Sequence, residues 1–353
     1  MTTDEKFMQR CLALALNGKG RVAPNPMVGA VIVRDGQIIG EGYHRQYGGP
    51  HAEVNAFNSV VDKSMIAGSD MYVSLEPCSH FGKTPPCANR IIAEKIKRVI
   101  IAVVDPNPLV AGRGVRLLLD AGIEVELNIL EQEAKEINKE FFVYQTAQRP
   151  FVYLKWAQTK NNFIDQTRLP GQPAEPTVIS SDYHKVIVHK LRSETMAIMI
   201  GTNTAINDNP HLTTRLWKGK NPVRIVVDRK GRIPENFHIF NNAVPTFVYT
   251  EKCETEIVSG STTYIPIRFT ETMLETILHD LRLRKISSLM VEGGAQLLQS
   301  FIDSNLWNEA YIEIADKEFT NGVKAPVIEG EIQDIQKDRG SVIIHRKNNK
   351  MRN

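Results

Sequence analysis

Residues 71–104 read MYVSLEPCSHFGKTPPCANRIIAEKIKRVIIAVV, and this stretch decides the fold. The apolar run 71–75 stops at Glu76-Pro77-Cys78, and residues 79–86 hold the Ser, Gly, Thr and Pro of a loop. Residues 88–97 repeat apolar positions at helical spacing. Residues 98–104, RVIIAVV, read as a buried strand, with a continuous apolar run from 99 to 104. Strand, helix and strand in that order make a βαβ unit. Outward from it, 28–33 (VGAVIV) and 37–42 read as a hairpin across Asp35-Gly36, a strong turn pair. Residues 4–17, 51–61 and 114–121 read as helices, and 123–127 as an edge strand. The expectation is a three-layer α/β/α domain with a mostly parallel sheet.

Residues 131–148 read as one charged amphipathic helix. Arg149-Pro150 ends it, because the residue before proline is pushed out of helical geometry. We therefore expect two domains, 1–148 and 149–353. The second repeats the α/β theme, with strands at 151–156, 197–201, 223–228, 246–249, 288–292 and 310–314. Its helices fall at 181–192, 273–284 and 295–304. Residues 161–177 and 202–222 read as loops, and the basic run 345–352 as a solvated end.

A length of 353 residues fits two domains of about 100–200 residues each. With 42% hydrophobic and 24% charged residues, the chain is neither wholly disordered nor a coiled coil. No run approaches the ~20 apolar residues of a membrane helix, and the apolar run 11–16 is too short for a secretory signal. A soluble, cytoplasmic protein with no membrane partner is expected. The net charge of +3 lacks the basic excess of a nucleic-acid binder but leaves room for a small anionic substrate. Four cysteines make no disulfide framework. Cys11 lies on an apolar helix and reads as a small core residue. Cys78 and Cys87 flank a polar loop, which points to metal or catalysis.

His51-Ala52-Glu53 opens a helix after Gly48-Gly49-Pro50, Cys78 follows a strand, and Cys87 starts the next helix. One imidazole and two thiolates make three zinc ligands and leave a fourth position open, the catalytic rather than the structural arrangement. Zinc in such a site acidifies a water molecule. Glu53, two residues past a ligand, is placed to carry that water's proton to a leaving amine. The pattern fits the H-x-E…P-C-x-x-C signature of zinc deaminases, except that eight residues separate the cysteines instead of two. A nucleic-acid deaminase fused to an unrelated domain would call for the short spacing and basic-aromatic surfaces. A non-catalytic zinc scaffold would call for a closed site or a missing acid/base.

The run A-P-N-P-M-V-G at 23–29, the H-A-E triplet, E-P-C-S-H-F-G-K-T-P-P-C at 76–87, D-P-N-P at 105–108 and G-R-G at 112–114 together resemble the bifunctional riboflavin-biosynthesis deaminase/reductase family. That family has the long cysteine spacing. The resemblance implies a cytidine-deaminase-like first domain acting on a diaminopyrimidine ribosyl phosphate. His51, Cys78 and Cys87 would be its zinc ligands and Glu53 its proton shuttle. Asn25 either offers its amide to the pyrimidine edge or serves as a turn residue between two prolines. His80 and Lys83 either meet the substrate phosphate or belong to a solvated loop.

In the second half, Val291-Glu292-Gly293-Gly294-Ala295 joins a strand to a helix. The glycine pair suits either a phosphate at the helix start or close helix–strand packing. The family's second domain is dihydrofolate-reductase-like and uses NADPH. The resemblance implies cofactor contacts at Gln158, Thr204, Asp208, Gly294, Ala295, Gln296, Leu297, Leu298, Gln299 and Ser300. It implies substrate contacts at Lys155, Arg192, Leu212, Arg215 and Glu292. This chain departs from the family at two places. Thr159-Lys160-Asn161-Asn162 stands where the family reads S-x-D-G, and Val178 where it often has tryptophan. An active deaminase with an altered reductase is the alternative those departures raise. The implied protein is a homo-oligomer, dimer or tetramer, handling one small phosphorylated pyrimidine with zinc and NADPH.

Overall fold

The computed structural model describes residues 1–79, 85–107, 110–168, 175–338 and 340–350. It divides into two units, Met1–Gln148 and Arg149–Asn353.

In the first unit, helix α1 (Thr3–Leu16) starts from a capping box in which Thr2 and Glu5 satisfy each other's backbone N–H groups. Strands β1 (Gly29–Arg34) and β2 (Gln37–Tyr43) form the expected hairpin, with Asp35 and Gly36 both at positive φ. Then come α2 (Ala52–Ser59), β3 (Asp70–Val73), α3 (Cys87–Ala93), β4 (Arg98–Ile101), α4 (Arg113–Asp120) and β5 (Glu124–Leu127). The sheet order is β2-β1-β3-β4-β5. β1 pairs antiparallel with both neighbours, while β3, β4 and β5 pair in parallel. The sheet is therefore mixed rather than mostly parallel by pairing. β3 crosses over β1 and lands on its far side, so β1 runs against the other four strands.

One core face packs Ala56, Phe57, Val73, Ile91 and Leu118, and the other packs Met8, Leu12, Tyr72 and Ile100. Cys11 lies fully buried on the second face, its thiol against the Tyr72 carbonyl. Residues 131–148 do not form one helix. They form α5 (Glu131–Ile137) and α6 (Lys139–Thr146), broken at Asn138. The buried Asn138 amide pairs with both the N–H and the C=O of Met27 at 2.8 Å, and this pull sets the break.

The second unit contains β6 (Phe151–Thr159), β7 (Phe163–Asp165), α7 (Asp182–Glu194), β8 (Ala197–Gly201), α8 (Thr202–Asp208), β9 (Val223–Val227), β10 (Thr246–Thr250) and β11 (Ile257–Ser259). It continues with β12 (Thr262–Pro266), α9 (Met273–Leu283), β13 (Ser288–Gly293), α10 (Ala295–Asp303), β14 (Glu309–Ala315), β15 (Val323–Lys324), β16 (Glu331–Asp338) and β17 (Ser341–Lys347). The main sheet runs β11-β12-β10-β9-β8-β13-β6-β14-β17-β16, parallel from β12 to β14. Two stretches read as loops carry structure: α8 follows β8 directly, and β7 pairs with β15. The described part of the basic run 345–352 is not a solvated end: His345–Lys347 sit in β17 against β14, and Asn348 is buried.

Alternate residues divide the sheet's faces. Val152, Leu154, Trp156, Val291, Ala310 and Ile312 point into the main core. Lys155, Glu292 and Glu313 therefore share the opposite face. β13 inserts between β8 and β6, so the chain changes direction there, at the kind of crevice where parallel α/β sheets bind ligands.

Candidate active sites

In the first unit three elements bring the zinc triplet together. His51 caps α2, Cys78 follows β3 and Cys87 opens α3. His51 Nδ1 lies 3.6 Å from Cys78 Sγ and 3.4 Å from Cys87 Sγ. All three ligand atoms lie within 4.8 Å of one another. Cys78 Sγ also accepts the Cys87 backbone N–H at 3.3 Å. Hydrogen bonding from the Cys87 thiol, aided by His51, pushes the Cys78 thiol down to about 4, which favours a thiolate. The same pairing and burial push Cys87 up. Glu53, in the first turn of α2, is 4% exposed. Burial, then the charge of Cys78, raises its carboxyl, so it is suited to holding a proton.

Sequence reasoning passed over two residues at this site. Glu76, beside Cys78, is a buried clamp. It accepts the backbone N–H groups of Asp105 (3.2 Å), Gly112 (3.0 Å), Gly114 (2.8 Å) and Val115 (3.3 Å). The E-P-C and G-R-G motifs were its signal. His44 is the other. Its Nδ1 donates to the Pro50 carbonyl at 3.0 Å, so its Nε2 accepts from Asn25 Nδ2 at 3.2 Å. Burial lowers its pKa, consistent with a neutral ring, and it meets the His51 ring edge-on at 5.7 Å. Asn25 thus reaches the zinc triplet through His44, with its amide orientation set. His80 and Lys83 lie outside the described residues.

In the second unit, Arg192 on α7 grips Glu292 at the end of β13 with two bonds, 2.8 and 2.6 Å, both side chains about one-tenth exposed. Burial alone would raise the Glu292 carboxyl, but Arg192 and then Lys155 hold it below its ordinary value. Burial lowers Lys155, against the opposing charges of Glu292 and Glu313. His189 accepts the backbone N–H groups of Arg215 (2.8 Å) and Leu216 (3.2 Å), which docks the segment carrying Arg215 onto α7. Leu212 is buried at positive φ.

Around the glycine pair, a Cβ on Gly294 would come within 3.0 Å of Thr204 Oγ1, so Thr204 and the turn are neighbours. The first-turn amides of Ala295, Gln296 and Leu297 have no acceptor within the helix. Leu298 instead points into the core, Gln299 bonds Val327 and Asp303, and the Ser300 hydroxyl bonds the Gln296 carbonyl. Gln158 is engaged by Trp156 and Asn162 at 2.8 Å each. Asp208 pairs with Arg168 at 2.9 Å.

Comparison with known proteins decides the family. Residues 1–103 match the cytidine and deoxycytidylate deaminase zinc-binding region, and residues 150–332 match the RibD C-terminal domain. The chain is 41% identical over 326 residues to riboflavin biosynthesis protein RibD of Aquifex aeolicus, covering 91% of this chain and 89% of that one. It is 35% identical over 329 residues to the Escherichia coli RibD, covering 89% of this chain and 88% of that one. Its fold superposes with TM-score 0.88 and 35% identity on the diaminohydroxyphosphoribosylaminopyrimidine deaminase/5-amino-6-(5-phosphoribosylamino)uracil reductase of Thermotoga maritima, covering 98% and 99% of the chains.

The chain belongs to the RibD family. It is a bifunctional deaminase and reductase of riboflavin biosynthesis, with a cytidine-deaminase-like first domain and a dihydrofolate-reductase-like second one. The residues present fit the metal that a RibD deaminase site implies. A tetrahedral zinc with bonds of 2.0–2.3 Å sets its ligand atoms roughly 3.6 Å apart, close to the observed separations. The site offers one imidazole and two sulfurs, and among the described residues no fourth His, Cys, Asp or Glu joins the cluster. Among the described residues no helix is long and apolar enough to cross a membrane.

Proposed function

We propose that the first unit deaminates 2,5-diamino-6-(5-phosphoribosylamino)pyrimidin-4(3H)-one. In this reading the second unit then reduces the ribosyl chain of the product to ribityl with NADPH. The observation that carries the first half is the open His51–Cys78–Cys87 triplet with buried Glu53 two residues from His51. Zinc, when held by these three residues, supplies the acidity that lets water attack near neutral pH. Glu53 takes a proton from the attacking water and passes it to the departing amine, which leaves as ammonia. Asn25, oriented by His44, presents its amide to the pyrimidine edge.

For the second half, a nicotinamide cofactor supplies the hydride when bound. The amides at the start of α10 and the Thr204 hydroxyl suit its pyrophosphate, and Asp208 a polar contact farther along. The hydride goes to C1′ of the ring-opened imine, and the nitrogen takes up a proton. Lys155, on the same sheet face as Glu292, is the candidate proton donor. Since Glu292 occupies the fork of Arg192, Arg215 carries the main contact to the ribose phosphate. The fit of NADPH over NADH, a dimer or tetramer, and a cytoplasmic location complete the reading. The test is a coupled assay on the diaminopyrimidine ribosyl phosphate. Ammonia release should precede NADPH oxidation, and NADPH should be oxidised without the deaminase only when deaminated substrate is given. NADPH oxidation on the aminated substrate by a deaminase-dead variant would overturn the order.

A further inference from the structure

Glu313 is a buried carboxylate that the reading above leaves unused. It lies on β14, where the strand's apolar residues Ala310 and Ile312 face the main core and Glu313 faces the other way. β14 pairs in parallel with β6, Tyr311 opposite Lys155 and Glu313 opposite Ala157. Glu313 therefore stands diagonal to Lys155 on one sheet face, within reach of a long side chain. Glu292 shares that face from β13, on the other side of Lys155.

The carboxylate is held in place. Ser180 Oγ donates to Oε2 at 2.5 Å, His184 Nδ1 lies 2.9 Å from Oε1, and Ser341 Oγ donates to Oε1 at 3.4 Å. Glu313 and His184 are 4% and 2% exposed. His184 Nε2 is buried with no partner, so the ring does not face solvent. Burying a carboxylate this deeply is costly unless its charge is used or matched. Three partners orient it, yet two are neutral hydroxyls.

Resting on the reading that places Lys155 in the reductase site, we infer that Glu313 is a positioning residue for that reaction. Pinned by Ser180 and His184, it sets a second negative charge beside Lys155 and keeps that side chain an ammonium. Lys155 thus lies between two carboxylates of different duty. Glu292 is shared between Arg192 and Lys155, whereas Glu313 has no arginine partner among the described residues and adds its charge to Lys155. The titratable and charged groups on this face include Glu292 on β13, Glu309, Tyr311 and Glu313 on β14, Tyr153 on β6, His345 on β17 opposite Tyr311, and His184, His189 and Arg192 on α7. Opposing charges from Glu292 and Glu313 both raise Lys155, against burial and Arg192.

The test is the pH profile of reductase turnover on deaminated substrate in the full-length enzyme. Glu313→Gln keeps the shape and removes the charge. Its alkaline limb should move down by about one pH unit, while NADPH affinity and ammonia release stay within twofold of wild type. An unmoved limb in the folded variant overturns the inference. A second measurement needs no variant at Glu313. In wild-type protein labelled with 13C at the lysine ε-carbon, the resonance lost in Lys155→Met should remain at its ammonium position at pH 8. A neutral amine there overturns the inference as well. Failure of the underlying site reading shows separately, as undiminished NADPH oxidation by Lys155→Met.

Discussion

The carboxylate of Glu76 accepts the backbone N–H of Gly114 at 2.8 Å, and Gly114 has no room for a side chain. A Cβ there would fall 2.1 Å from the Pro77 carbonyl, one residue before Cys78. The start of α4 and the loop carrying a zinc ligand are thus closed against each other through a single carboxylate. Hydrogen bonds to a charged group contribute about 1.5–3 kcal/mol each, so the clamp is a substantial part of what holds Cys78. Gly114→Ala should push that loop away. Purified variant should hold well under half the zinc of wild type and lose ammonia release in proportion. Full zinc content in the variant would count against the clamp.

Glu53→Gln should keep zinc near the wild-type level, because the ligand cluster is His51, Cys78 and Cys87 and does not include Glu53. Ammonia release should drop about 10²–10⁴-fold, the usual contribution of a positioned acid/base group. The measurement pairs metal analysis with an ammonia assay. A variant that still releases ammonia at the wild-type rate removes Glu53 from the mechanism.

Removing the metal should separate the two activities. Cys87→Ala, or dialysis against a strong zinc chelator, should abolish deamination. NADPH oxidation on deaminated substrate should persist, since the groups proposed for the reductase, Lys155, Arg192 and Glu292, belong to the other unit. Loss of both activities with the second unit still folded would contradict this assignment.

Arg215→Ala should raise the KM for the phosphorylated substrate by roughly tenfold or more, the scale of a lost charge-assisted hydrogen bond. The Kd for NADPH should change less than twofold. An unchanged substrate KM would move the phosphate contact elsewhere.

Asp208 gives a pH signature in stability. Burial, only partly offset by Arg168, pushes its carboxyl up to about 6. A carboxyl raised in the folded state is most favourable when protonated. Its contribution is therefore greatest at low pH and declines as pH rises from the unfolded value near 4 through about 6. The cost of the charged form at pH 7.5 is on the order of 2–3 kcal/mol. Asp208→Asn should melt higher relative to wild type at pH 7.5 than at pH 4.5. An equal difference at both pH values would show that the carboxyl is not raised.

Much of this was legible from residue types alone. The His, Cys and Cys of the zinc triplet sit where strand ends meet helix starts, and those junctions could be read from local pattern. The break at Asn138 could not, because its cause is Met27, 111 residues away. The basic run 345–352 reads as a solvated end for the same reason: the strand that contains 345–347 finds its partner in β14, far back in the chain, and local charge hides the pairing signal. His44 and Glu76 are not legible locally because their partners lie elsewhere in the chain, the Asn25 amide for His44 and the backbone N–H groups of 105–115 for Glu76.

The sequence by itself determined the chemistry available: two thiols, an imidazole and a nearby carboxylate in one half, and a glycine-led helix start in the other. The tertiary structure alone decided how those groups are used. It gave the fork of Arg192 to Glu292, turned Leu298 and Gln299 away from the helix start, and set Glu313 beside Lys155. The reason is physical. Residue type sets which proton or ligand a side chain can offer, whereas burial and long-range pairing set its charge and direction, and no local stretch of chain contains its own burial.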